Sequence, residues 1–222
     1  MFIKDLRKQL QLKIGLEPNK LVEPIKCSEI QIIETQKNAK LKQVTITHLP
    51  YEKYQIWRIN LEKEIQGLST ANKTGEIALA ILNKNYLNVY LIELKSAINN
   101  PTLKKIQPKF EDSMSRFYFL LSLNSDKDHE NFNNLKIRFR ALVFFNGHDN
   151  INTSVPDFEN VFENIYKIFL NRGGYLSCET ILDDNLRIPL KFFSEGFNKT
   201  TGSLEMSFSD IENDINKIRS KK

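Results

Sequence analysis

Glu76, Glu93 and Lys95 are the residues of this chain whose types and spacing could do chemistry. Residues 86 to 96, Tyr-Leu-Asn-Val-Tyr-Leu-Ile-Glu-Leu-Lys-Ser, are rich in β-branched and aromatic side chains and read as one strand. Alternation puts Val89, Leu91, Glu93 and Lys95 on one face and Tyr90, Ile92 and Leu94 on the other. A strand apolar on both faces is a strand covered on both. Residues 76 to 82 read as a second buried-type strand, joined to the first by a turn over 83 to 85. Glu76 lies eight residues before Lys84 and Glu93 nine after it, so the two acids stand nearly opposite in the hairpin. Carboxylates that close repel and shift each other's pKa unless a cation lies between them. Oxygen ligands of this kind suit Mg²⁺, with Mn²⁺ as a substitute. Lys95, on the same face, could orient or deprotonate a water and stabilise charge on a phosphate in the transition state. That chemistry is phosphodiester hydrolysis. The plainer reading is a strand running into solvent, with Glu93 and Lys95 as a mutual ion pair.

Flanking elements must hold such a site. Pro50 opens a predicted helix over 50 to 66, with Tyr54, Trp57, Leu61 and Ile65 as its buried stripe and Gly67 as its stop. Glu64 leans towards that stripe, either joining the acidic site or sitting at the stripe's edge in water. After the hairpin, residues 99 to 107 form a loop carrying Lys104 and Lys105, and Pro108 opens a helix over 109 to 123. Phe110, Met114, Phe117, Tyr118 and Leu121 are its inner stripe; Lys109, Ser113 and Arg116 share another face. Residues 135 to 145 form a third central strand. Its first half places Lys136, Arg138 and Arg140 on one face, to meet phosphates, to line a solvated edge or to pair with acids.

The remaining elements are peripheral. Residues 2 to 13 read as an amphipathic helix within an arm ending near residue 24, with 19 to 24 as a connector. Strands at 30 to 35 and 43 to 47 suggest a hairpin. A helix spans 157 to 171, a further hairpin turns at 183 to 185, and Ser209 with Glu212 makes a capping box for a last helix.

The totals bound the rest. In 222 residues, 41% hydrophobic and 27% charged, one domain with a real core is expected. A net charge of +5 favours an anionic partner, moderately. Cys27 and Cys178 sit in no metal or redox spacing and read as buried, reduced thiols of a cytoplasmic protein. His48, His129 and His148 show no zinc-ligand spacing. The start lacks a signal-peptide apolar run, and no segment approaches the length of a membrane span. Neither Gly-X-Ser-X-Gly nor a Gly-rich phosphate loop occurs, and Cys178 has no nearby histidine.

The order helix, strand, strand, helix, strand, helix predicts an α/β fold with a mixed central sheet flanked by helices. At Glu76 and Glu93-Leu94-Lys95 the chain resembles the restriction-endonuclease-like, or PD-(D/E)XK, nucleases. Their core is a helix, a hairpin with an acid on its first strand and Glu-X-Lys at the end of its second, then a helix and another strand. Glu76 stands where the family usually has Asp, Gly75 where Pro is common, and Glu64 where some members have a helical acid. The resemblance covers roughly residues 50 to 145. It implies a Mg²⁺-dependent endonuclease acting on DNA, of restriction or defence type, with Glu76, Glu93 and Lys95 catalytic and Glu76, Glu93 and Glu64 holding the metal. It further implies nucleic-acid contacts from the helix after Lys95, through Gln107, Lys109 and Arg116, and from Lys104 and Lys105 beside it. Single-domain members often pair as homodimers, a role open to the N-terminal arm. Two other readings remain: the same fold without catalysis, binding nucleic acid or a protein, and an unrelated α/β interaction protein.

Overall fold

The computed structural model describes residues 21–34, 36–62, 77–96, 98, 100–122, 135–146, 173–180 and 183–219. Among these lie two mixed sheets and two helices, an α/β arrangement. The larger sheet contains β1 (Val22–Ile25), β4 (Gln55–Asn60), β5 (Ile77–Asn83), β6 (Tyr86–Lys95), β7 (Lys136–Phe145), β9 (Asp183–Phe193) and β8 (Tyr175–Thr180), in that spatial order. From β1 to β6 neighbours are antiparallel, β6, β7 and β9 run parallel, and β8 turns back on β9. The smaller sheet orders β10 (Phe197–Asn198), β11 (Ser203–Ser207), β3 (Gln43–Thr47) and β2 (Ile30–Ile33).

β6 is the axis of the large sheet, and its two faces divide as the alternation requires. Leu87, Val89 and Leu91 enter the core beneath α1 (Asn100–Ser122), with Leu103, Ile106, Phe110, Met114, Phe117 and Leu121 of that helix. Tyr90, Ile92 and Leu94 enter the core on the other side, under the small sheet and α2 (Phe208–Arg219). The β2–β3 hairpin expected from sequence is present, antiparallel, and supplies Ile30, Ile32, Val44 and Ile46 to that second core.

Five expectations are corrected. The stretch 55 to 60 is a strand, not part of a helix: Trp57 and Ile59 face the α1 side, Ile56 the other. Trp57, Ile59 and Leu61 fit a period of two as well as Trp57 and Leu61 fit a helical period, and pairing with β1 decides it. Pro50 opens only one turn, its carbonyl accepting from the N–H groups of Lys53 and Tyr54. Of the connector expected over 19 to 24, Val22, Glu23 and Pro24 belong to β1, with Val22 paired to Ile59. Residues 100 to 107 are helical, so α1 starts near Pro101 and carries Pro108 inside it. Buried Leu103 and Ile106 continue the stripe of Phe110 and Met114, while Pro108 faces solvent, so packing outweighs one lost backbone bond. The hairpin after Tyr175 does not turn at 183 to 185: after a register slip between Cys178 and Thr180, Asp183 already pairs with Thr180, and 183 to 185 belong to β9. Finally, Ser207 rather than Ser209 caps α2: its hydroxyl accepts the N–H of Ser209. The expected helices at 2 to 13 and 157 to 171 lie outside the described residues.

One turn requires glycine. Gly202 has φ +69°, and a Cβ there would stand 2.7 Å from the Lys40 carbonyl. Its own carbonyl accepts from the N–H groups of Lys42 and Gln43, joining the start of β11 to β3.

Leu91→Ala, at a fully buried position, is expected to cost about 2–5 kcal/mol in urea unfolding, whereas Ile33→Ala, 60% exposed, should stay within about 0.5 kcal/mol. Equal losses would place the core elsewhere. Burial pushes the Cys178 thiol up to about 12 from an ordinary 9.0, with Glu111 adding to the shift. The unfolded thiol would ionise first, so this contribution to stability is complete below about pH 9 and is lost as pH rises towards 12. Cys27, by contrast, is exposed rather than buried as expected, so at pH 8 a chromogenic disulfide should react rapidly with it and reach Cys178 only after denaturation.

Candidate functional site

The carboxyl end of β6 lies beside the carboxyl end of β7, with Glu93 paired to Val143 and Lys95 to Phe145. After Lys95 the chain reverses, and α1 returns over the face that carries Glu93. Phe117 and Tyr118 of α1 set edge-on against Phe139, fixing the helix over the start of β7. This crossover brings Lys109 down onto the sheet.

There a carboxylate meets two ammonium groups. Lys95 and Lys109 both pair with Oε1 of Glu93. Glu93 is 1% exposed, while the Lys109 and Lys95 side chains are 14% and 30% exposed. Burying a carboxylate alone is costly, and two cations on one oxygen offset that cost. The other oxygen, Oε2, is buried with no hydrogen-bond donor. One negative and two positive charges leave the triad at +1. One turn on, the Ser113 hydroxyl donates to the Lys109 carbonyl at 2.7 Å. A further turn on lies Arg116, 9% exposed, whose Nε and Nη2 are buried without acceptors. Burial holds its pKa below the ordinary value, while nearby Glu62 opposes that shift.

The sequence-derived site residues part company. Glu93, Lys95 and Lys109 are brought together. Lys104 and Lys105 are exposed, on turns of α1 whose buried side is Leu103 and Ile106. Gln107 donates to Glu111 at 3.0 Å, and Glu111 in turn accepts the Glu179 N–H, which ties α1 to β8. Glu64 and Glu76 lie outside the described residues. Ile77 pairs with Ile92 across the β5–β6 hairpin, which is the register that the reading of Glu76 opposite Glu93 needs. Among the described residues, no group of three or more His, Cys, Asp or Glu gathers to hold a metal.

The sequence reading placed Lys109 towards substrate and missed its contact with Glu93. The available signal was the unbroken apolar spacing from Leu103 through Phe110, which carries the helix past Pro108 and fixes the direction of Lys109. It also left the basic face of β7 open among three roles. Arg140 is buried, donates to Asn88 Oδ1 at 2.9 Å and lies 3.6 Å from Glu212 through Nε. The Tyr90 hydroxyl donates to the same Glu212 oxygen at 2.5 Å. Arg140 therefore pairs with an acid, whereas Lys136 and Arg138 are exposed.

Comparison with family models, with curated proteins and with solved structures gave no match. No helix among the described residues is long and apolar enough to cross a membrane.

Lys109→Met should destabilise the fold by about 3 kcal/mol, somewhat less than a buried carboxylate left wholly unpaired would cost. The Glu93→Gln/Lys109→Met double variant should lose less than the sum of its parts, by about 1 kcal/mol or more. Strict additivity in urea unfolding would show that the pair does not couple.

Proposed function

We propose that this chain is a metal-dependent endonuclease that hydrolyses DNA phosphodiester bonds, of restriction or defence type. The observation that carries the reading is the Glu93 carboxylate, buried at the end of β6, with Oε1 held by two lysines and Oε2 without a donor. The order of elements supports it: an antiparallel hairpin, a crossover helix and a parallel strand, as the resemblance to PD-(D/E)XK nucleases implies. Strand β4 occupies part of the stretch where that resemblance expects a helix.

A buried carboxylate oxygen free of protein donors fits a hard divalent cation. Glu93 Oε2 would hold Mg²⁺ or Mn²⁺ together with Glu76, and with Glu64 as a further ligand. Such an ion lowers the pKa of a bound water and offsets charge on the phosphate. Lys109 fixes the carboxylate, so that Oε2 keeps its direction. Lys95, an ammonium partly open to solvent, would orient the attacking water and offset charge on the phosphate. Arg116, buried two turns further along α1, would add positive charge behind the site. A homodimer would supply one such site to each DNA strand.

One observation favours a second reading, a nuclease fold that binds nucleic acid without cutting it. Two ammonium groups on Glu93 already compensate its charge and leave +1 to attract a phosphate.

Plasmid DNA incubated with Mg²⁺ or Mn²⁺ should be nicked, with the activity lost in EDTA and reduced about 100-fold or more by Lys95→Ala. Salt-sensitive binding without nicking would instead favour the second reading. Nicking indifferent to EDTA and to Lys95→Ala would end the proposal.

A further inference from the structure

The opposite end of the β6–β7 pair carries a second surface that the catalytic reading leaves unused. The two strands are parallel and in register, so residues sharing a face form rows: Tyr86 with Lys136, Asn88 with Arg138, Tyr90 with Arg140. Rows repeat every second residue, roughly 6.6 Å apart. The third row is closed, because Glu212 of α2 takes both Tyr90 and Arg140, and Phe208 sets its edge on the Tyr90 ring at 5.3 Å. The first two rows are open. Arg138 and Lys136 are exposed, and Tyr86 and Asn88 are half-buried.

These two rows are organised. The Arg138 guanidinium lies 3.8 Å from the centre of the Tyr86 ring, and Lys136 Nζ reaches the same ring at 5.8 Å. Among the described residues no carboxylate pairs with Lys136 or Arg138. A stacked guanidinium keeps its outer plane and its edge donors available, a geometry that suits a base above it and a phosphate beside it. Asn88 is engaged by Arg140 and serves as the floor. Tyr86 starts β6 and Glu93 nearly ends it, about 23 Å away along the strand and on the opposite face of the sheet.

We propose that Tyr86, Lys136 and Arg138 form a binding surface for single-stranded nucleic acid, separate from the Glu93 site. Lys136 and Arg138 meet successive phosphates, and a base stacks on the Arg138–Tyr86 pair. A duplex keeps its bases stacked inside and offers only phosphates, so it binds more weakly here. This surface goes beyond the nuclease reading and does not depend on it.

The test is fluorescence anisotropy of a labelled oligothymidylate of about 12 nucleotides with the full chain, in EDTA at about 50 mM salt. Arg138→Ala and Tyr86→Ala should each weaken binding about tenfold, and Lys136→Ala should reduce the salt slope by about 1. Arg138→Lys should keep the slope and lose affinity, and Tyr86→Trp should retain affinity, which separates stacking from misfolding. Lys37→Ala, a lysine exposed beside the small sheet, should change affinity less than twofold. Glu93→Gln should abolish plasmid nicking yet leave oligonucleotide binding intact, so the two proposals fail separately. Affinity unchanged in both Arg138→Ala and Tyr86→Ala, equal affinity for a duplex of the same length, or no saturable binding would each overturn the assignment.

Discussion

Ten consecutive residues of β6 run through the middle of the molecule, most of them out of reach of water. Every backbone N–H and C=O along a buried strand needs a protein partner. β5 provides one edge through antiparallel pairing and β7 the other through parallel pairing. Satisfying the edges leaves two apolar faces to cover, and the remaining architecture follows from that demand. α1 covers the face of Val89 and Leu91. The small sheet and α2 cover the face of Tyr90, Ile92 and Leu94. Parallel pairing with β7 also forces a crossover between the two strands, and α1 is that crossover.

The same crossover sets the electrostatics. Glu93 sits where α1 closes over the sheet, so its charge must be met from the elements already there. Lys95 comes from its own strand and Lys109 from the helix. On the opposite face the arrangement is reversed in sign: Arg140 is the buried charge, and Glu212, Asn88 and the Tyr90 ring meet it. Each face of the β6–β7 pair thus holds one buried ion compensated by an arriving helix. Neither grouping is a surface ion pair of negligible weight, because removing a partner would leave a charge without water.

Much of this could be read from the chain itself. The two-faced character of β6, its hairpin with β5, the third strand at 136 to 145 and the stripe of α1 from Phe110 to Leu121 all rest on long, strong periodicities. The failures have local physical causes. Between 55 and 61, Trp57, Ile59 and Leu61 satisfy two periods at once, and only the distant partner β1 selects one. Pro108 carried a stop signal that the apolar contacts of Leu103 and Ile106 override. β10 is only two residues long, and β11 pairs in parallel with the distant β3, so no local pattern announces them. At the candidate site, Glu93 with Lys95 was legible from spacing on one strand. Lys109 on Glu93 was not, because it depends on how a helix lies across a sheet.

The parallel pairing of β11 with β3 joins Ser203 to Gln43, residues separated by 160 positions. During synthesis, β2 and β3 would emerge before Ile92 and Leu94, but β10, β11 and α2, which complete the cover on that side, would emerge long after them. Closure of that side must be among the last events of folding, since such a long loop loses much entropy before any contact rewards it. Until then the nascent chain carries an incompletely covered apolar sheet face, the kind of surface that chaperones recognise and that promotes self-association.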